Sequence, residues 1–117
     1  MQKAMPLIQG QVSIPAASQN DNVLTGSQWE FLPFNAQVLF GLNGDANAVD
    51  LRLDVYSGTD VLMEAGQVSA QNRIPVYPDD FNLNDVAAAG ERLKIRARNL
   101  HATLARTLFF AVMINRI

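Results

Sequence analysis

The chain has 117 residues, 49% of them hydrophobic and 17% charged, with a formal charge of −2 and no cysteine. That length supports one hydrophobic core, and that apolar content rules out the disordered class. The lack of cysteine excludes disulfides, thiolate metal sites and cysteine nucleophiles. The charged share lies below the usual ~25%, which fits a molecule with part of its surface covered by another chain. Met1 to Gly10 lack the apolar run of a signal peptide, and no stretch approaches the ~20 apolar residues of a membrane span. The expectation is a soluble cytosolic product, or one that leaves the cell by a route other than secretion.

Charge is distributed unevenly. Every carboxylate precedes residue 92, whereas Arg92, Lys94, Arg96, Arg98, Arg106 and Arg116 carry most of the positive charge. Residues 1–91 therefore balance at −8 and residues 92–117 at +6.

In chain order, alternation with period two dominates, the signature of half-buried strands. Ile8, Gly10, Val12 and Ile14 alternate with polar residues up to Pro15, so residues 1–15 read as an N-terminal arm or edge strand. A polar loop over 16–27 holds a short strand at Asn22–Thr25, and Gln28–Leu32 reads as another strand ending at Pro33. Ala36, Val38, Phe40 and Leu42 alternate into the turn Asn43-Gly44-Asp45. Val49, Leu51, Leu53 and Val55 form a strand, and Ser57-Gly58-Thr59-Asp60 turns it into a hairpin.

Pro75 and Pro78 bar residues 73–78 from a central strand. Asp85 to Ala89 read as a short helical turn stopped by Gly90. Glu91–Asn99 is a cationic strand: Arg92, Lys94, Arg96 and Arg98 face one way, Leu93, Ile95 and Ala97 the other. Asn99 to Ala102 turn, and Thr107–Ile117 form the last strand. That strand is apolar on both faces, with Leu108, Phe110, Val112 and Ile114 on one side and Phe109, Ala111 and Met113 on the other. One side belongs to the core; a loop, the N-terminal arm or a neighbouring subunit covers the other. The sum is an all-β, single-domain antiparallel β-sandwich of seven or eight strands spanning residues 1–117, with the jelly roll as the preferred Greek-key topology.

Candidate sites are sparse. His101 is the sole histidine, and no serine stands in Gly-x-Ser-x-Gly, so His101 reads as a turn residue. Counting from Asp80, Asn82, Asn84 and Glu91 match oxygen-ligand positions of a calcium loop, yet Asp85 stands where that loop needs glycine. Asp79–Asp85 is therefore read as an Asx-rich turn. The cationic row reads as a face paired across strands with Asp50 and Asp54, with an intersubunit contact and nucleic-acid binding as rivals. Trp29, Tyr56 and Tyr77 are too scattered for a sugar-stacking platform. No catalytic residue, metal or cofactor is expected.

From Asn22 to Phe31, and more at Asn72-Arg73-Ile74-Pro75-Val76-Tyr77-Pro78-Asp79-Asp80-Phe81 and Gly90 to Asn99, the chain resembles small bacteriophage virion proteins of the jelly-roll, capsid-associated or decoration type. The resemblance implies a non-enzymatic decoration, cement or minor capsid protein located in the virion. It would assemble as a homo-oligomer, commonly a trimer, and bind the major capsid protein or another virion protein. The oligomer interface is then expected at Phe109, Met113, Arg92, Lys94, Arg96 and Arg98. The alternative class is a ligand- or carbohydrate-binding β-sandwich module.

Overall fold

The computed structural model describes residues 7–46, 48–77 and 79–117. Eight strands follow in order: β1 (Leu7–Ile14), β2 (Gln19–Asn20), β3 (Ala36–Gly44), β4 (Leu51–Ser57), β5 (Asp60–Gly66), β6 (Phe81–Ala87), β7 (Leu93–Asn99) and β8 (Arg106–Arg116). They build two four-stranded antiparallel sheets, β1-β8-β3-β6 and β2-β7-β4-β5. The first strand pairs with the last, the second with the seventh, the third with the sixth and the fourth with the fifth. Rolling that ribbon lays β8 beside β3 and β7 beside β4. This is jelly-roll topology, the preferred one among the sandwich topologies compatible with the strand pattern.

Strand alternation creates the core. Val38 and Phe40 on β3, Leu51, Leu53 and Val55 on β4, Leu93 and Ile95 on β7, and Leu108, Val112 and Ile114 on β8 point between the sheets and are at most 1% exposed. Each such side chain is worth about 1.5–3 kcal/mol of burial. β1 is an edge strand, as its flanking prolines predict; residues 1–6 of the expected arm lie outside the described residues.

Three local expectations are corrected. Residues 85–87 extend strand β6 instead of forming a helix, because Gln37↔Val86 and Val38↔Asp85 pairing with β3 outweighs the helix propensity of the alanine run. No α-helix occurs among the described residues; a single 3-10 turn spans Ala48–Asp50. Asn22–Thr25 and Gln28–Leu32 are turns, apart from one bridge, Phe31↔Arg92; the short strand of this region is Gln19–Asn20.

Polar side chains hold those turns where sheet bonds are missing. Asn22, 4% exposed, accepts from the Leu24 and Ile95 amides (3.0 and 3.1 Å) and donates to the Leu93 carbonyl at 3.2 Å. Asn99 likewise donates to the Ile14 and Leu104 carbonyls at 3.0 and 2.9 Å.

Candidate functional site

The two outward sheet faces differ in chemistry, and the register shows how. On the β1-β8-β3-β6 sheet, Phe109, Ala111 and Met113 point away from the core, as expected. Phe109 and Met113 are half-buried. Between them, Ala111 pairs with Gly41, and both are buried. The β5–β6 connection crosses there: a Cβ on Gly41 would lie 2.7 Å from Pro75 and 3.1 Å from the Phe81 ring. One of the three expected covers, a loop, thus shelters the middle of this face.

Asp80 anchors the crossing. Its carboxylate accepts from the Val76 amide (2.9 Å), Asn43 Nδ2 (3.2 Å) and Arg73 Nη2 (3.2 Å). The Val76 N–H, with Asn43 and Arg73, holds this carboxyl below its ordinary range against the opposing effect of burial. Backbone bonds from Gly44 to Ser69 and from Asn72 to Gly44 fasten the same segment to the end of β3. Beyond the crossing, the register row Leu7–Met113–Leu39 runs across three strands. Leu7 is 48% exposed and Leu39 half-buried, so this row is an open apolar strip.

The opposite outer face, on β2-β7-β4-β5, is cationic. Lys94, Arg96 and Arg98 point outward while Leu93, Ile95 and Ala97 are fully buried. Asp54 stands opposite Arg96 but pairs diagonally with Arg98 at 3.3 Å. Arg92 pairs with the buried Glu30 at 2.6 Å. The Gly26 amide and then Arg92 keep the Glu30 carboxyl below its ordinary range. Asp50, expected beside the row, lies in the 3-10 turn and binds Arg106 at 2.8 Å. Arg92 also lies over Phe31, and Lys94 over Tyr56, at 5.8 and 5.7 Å from the ring centroids. Phe109 and Met113 therefore sit on one side of the sandwich and Arg92, Lys94, Arg96 and Arg98 on the other; they form two surfaces.

Other candidates resolve into structure. His101 Nδ1 accepts from the Thr103 and Leu104 amides (3.1 and 3.0 Å) and shapes its turn. The calcium-like spacing is dissolved by β6, which sends Asn82 and Asn84 outward and Asp85 toward Val38. Asp60 is held above the ordinary carboxylate range, first by its hydrogen bond to Asp85, then by the charges of Asp85 and Glu91. Among the described residues, no group of His, Asp and Glu is arranged to hold a metal. Trp29 packs on Phe34, Tyr77 edge-on against Phe81, and Tyr56 lies under Lys94, so the three stand apart. The cleft beside Met63 and Leu83 holds about 70 Å³, well short of the ~300 Å³ of a small-molecule site, and the larger depression of about 470 Å³ beside Ser18, Arg98 and Leu100 is shallow and open to solvent.

Sequence reading missed Glu30 and Asp80 as ionic anchors and Asn22 and Asn99 as turn clamps. Their only local signal is a carboxylate or amide beside a turn. No family model, no curated protein and no solved structure matches the chain.

Proposed function

We propose that this chain is a non-enzymatic structural protein of a bacteriophage particle, a decoration, cement or minor capsid component that self-associates and binds the capsid lattice. The carrying observation is the open apolar row Leu7–Met113–Leu39 on the outer face of a jelly-roll sheet. A lone sandwich leaves that row partly wet, Leu7 most of all, and pairing it with sister copies recovers burial energy. The jelly-roll strand order, a fold used in viral capsids as well as lectins and cupins, and the resemblance of residues 72–81 and 90–99 to small virion proteins support the same reading. A cyclic homo-oligomer would enclose the row, and the resemblance to small virion proteins favours a trimer.

Light scattering on the purified chain tests self-association. The expected mass is about 38 kDa, three times the 12.8 kDa of one chain. A 12.8 kDa particle at tens of micromolar refutes it. Co-sedimentation with empty capsids of the phage encoding the chain tests the second half; a chain left wholly in the supernatant at low salt refutes capsid binding.

A further inference from the structure

The cationic face carries an arrangement that works against its own fold. β4 and β7 place Tyr56 opposite Lys94, Asp54 opposite Arg96, and Arg52 opposite Arg98. Four outward cations thus share one carboxylate, and two arginines confront each other directly. Like charges directly opposite destabilise a sheet. The chain relieves the clash by drawing the Arg52 guanidinium to the Val49 and Leu51 carbonyls (2.6 and 2.9 Å) and Arg98 to Asp54. Asp54 is 4% exposed, and its Oδ1 also accepts from the Ala65 amide at 2.8 Å, so its charge is sunk into the sheet. Among the described residues, Arg52, Lys94 and Arg96 form no ion pair. Where the row begins, Tyr56, Gly58, Arg92 and Lys94 line an open depression of about 270 Å³.

We propose that this face docks onto a carboxylate-rich protein surface, with aspartate and glutamate side chains of the partner completing Arg52, Lys94 and Arg96. The inference rests on the structural-module reading and names the chemistry of the surface that the module meets. Five cations (Arg52, Arg92, Lys94, Arg96, Arg98) meet two bonded carboxylates (Glu30, Asp54), with Asp21 beside Gln19 and Glu64 on β5 flanking the row, on a chain of net −2. Positive charge is therefore concentrated in the row, and the remainder of the chain carries a net negative charge. An acidic partner repels that remainder and attracts this face, which sets the docking orientation as well as the encounter rate.

Protein is favoured over nucleic acid on two grounds. Arg92 and Lys94 already lie over one face of the Phe31 and Tyr56 rings, which removes that face of each ring from base stacking. Four of the five cations are arginine, the cation enriched at protein interfaces, where lysine is depleted.

The test uses the full chain and three variants: Lys94→Gln/Arg96→Gln, Lys94→Glu/Arg96→Glu and Met113→Asp. The probes are poly-L-glutamate and a DNA duplex, at about 50 and 300 mM salt, with the mass of each protein followed in parallel. Expected results are binding of poly-L-glutamate at low salt, loss at high salt, about tenfold weakening in the neutral double variant and no binding in the reversed one. Both double variants should keep the mass of the parent chain, and Met113→Asp should still bind the polymer whatever its mass. Should the reversed variant fail to fold, the neutral variant and the salt dependence decide. Three results overturn the proposal: no binding of poly-L-glutamate at low salt, duplex DNA bound at least about tenfold more tightly than the polymer, or a lower mass in the neutral variant. The last would assign the face to a sister copy and leave self-association standing; a monomeric parent chain that still binds the polymer would remove self-association alone.

Discussion

Replacing Asn22 by alanine removes three hydrogen bonds that take the place of a missing strand. Leu24 N–H and Ile95 N–H lose their acceptor and the Leu93 carbonyl loses its donor, all at a residue 4% exposed. At about 1 kcal/mol net per bond, the cost is about 3 kcal/mol, and more if water does not reach the orphaned groups. For a domain of this size that lowers the melting temperature by roughly 10–15 °C. Asn22→Asp separates the three bonds. The aspartate keeps both amide donors but turns an oxygen toward the Leu93 carbonyl. Protonation below about pH 4 gives it a donor again. Its deficit relative to the parent chain should therefore shrink between pH 7 and pH 3, while that of Asn22→Ala should not. Denaturant unfolding at both pH values, with amide exchange at Ile95, reads this out. A loss under about 1 kcal/mol in Asn22→Ala, or an Asn22→Asp deficit that does not change with pH, would refute the role given to this side chain.

Gly41→Ala should cost about 1–3 kcal/mol, because the added methyl would meet Pro75 Cβ at 2.7 Å, and thermal melts would show it. The carboxyls of Asp80 and Glu30 lie below their ordinary range, so their contribution is present above about pH 4 and lost as pH falls through the folded values. Asp80→Asn should be less stable at neutral pH and show a flatter acid limb in unfolding curves from pH 7 to 2. Asp60 lies above its ordinary range, so its contribution has the opposite sign: it is present below about pH 4 and fades as pH rises through the folded value. Asp60→Asn should abolish that fade in the same curves. Met113→Asp should lower the mass measured by light scattering with little loss of monomer stability, since this half-buried side chain lies outside the core; unchanged mass would show the row to be free of sister copies.

β3, β7 and β8 were legible because their period-two alternation is local: Leu93, Ile95 and Ala97 had to face one way and Lys94, Arg96 and Arg98 the other. β6 was not, because Ala87-Ala88-Ala89 favours helix and only the ladder to β3 reverses that preference. The cationic face of the candidate site could be read from the sequence as a row. Its ionic partners could not, since alternation assigns a residue to a face but not to a register. Asp54 therefore reaches past Arg96 to Arg98, and Asp50 leaves the face for Arg106.

Sequence alone determined an all-β chain, its core-facing residues, and an apolar last strand beside a cationic one. The tertiary structure decided that these features occupy opposite sides of the sandwich, and that Pro75 shelters the middle of the apolar side, leaving Leu7, Met113 and Leu39 open. The reason is physical: the direction of a side chain repeats every two residues along a strand, whereas what lies beside it depends on long-range pairing that joins residues up to about a hundred positions apart, as Leu7 with Met113.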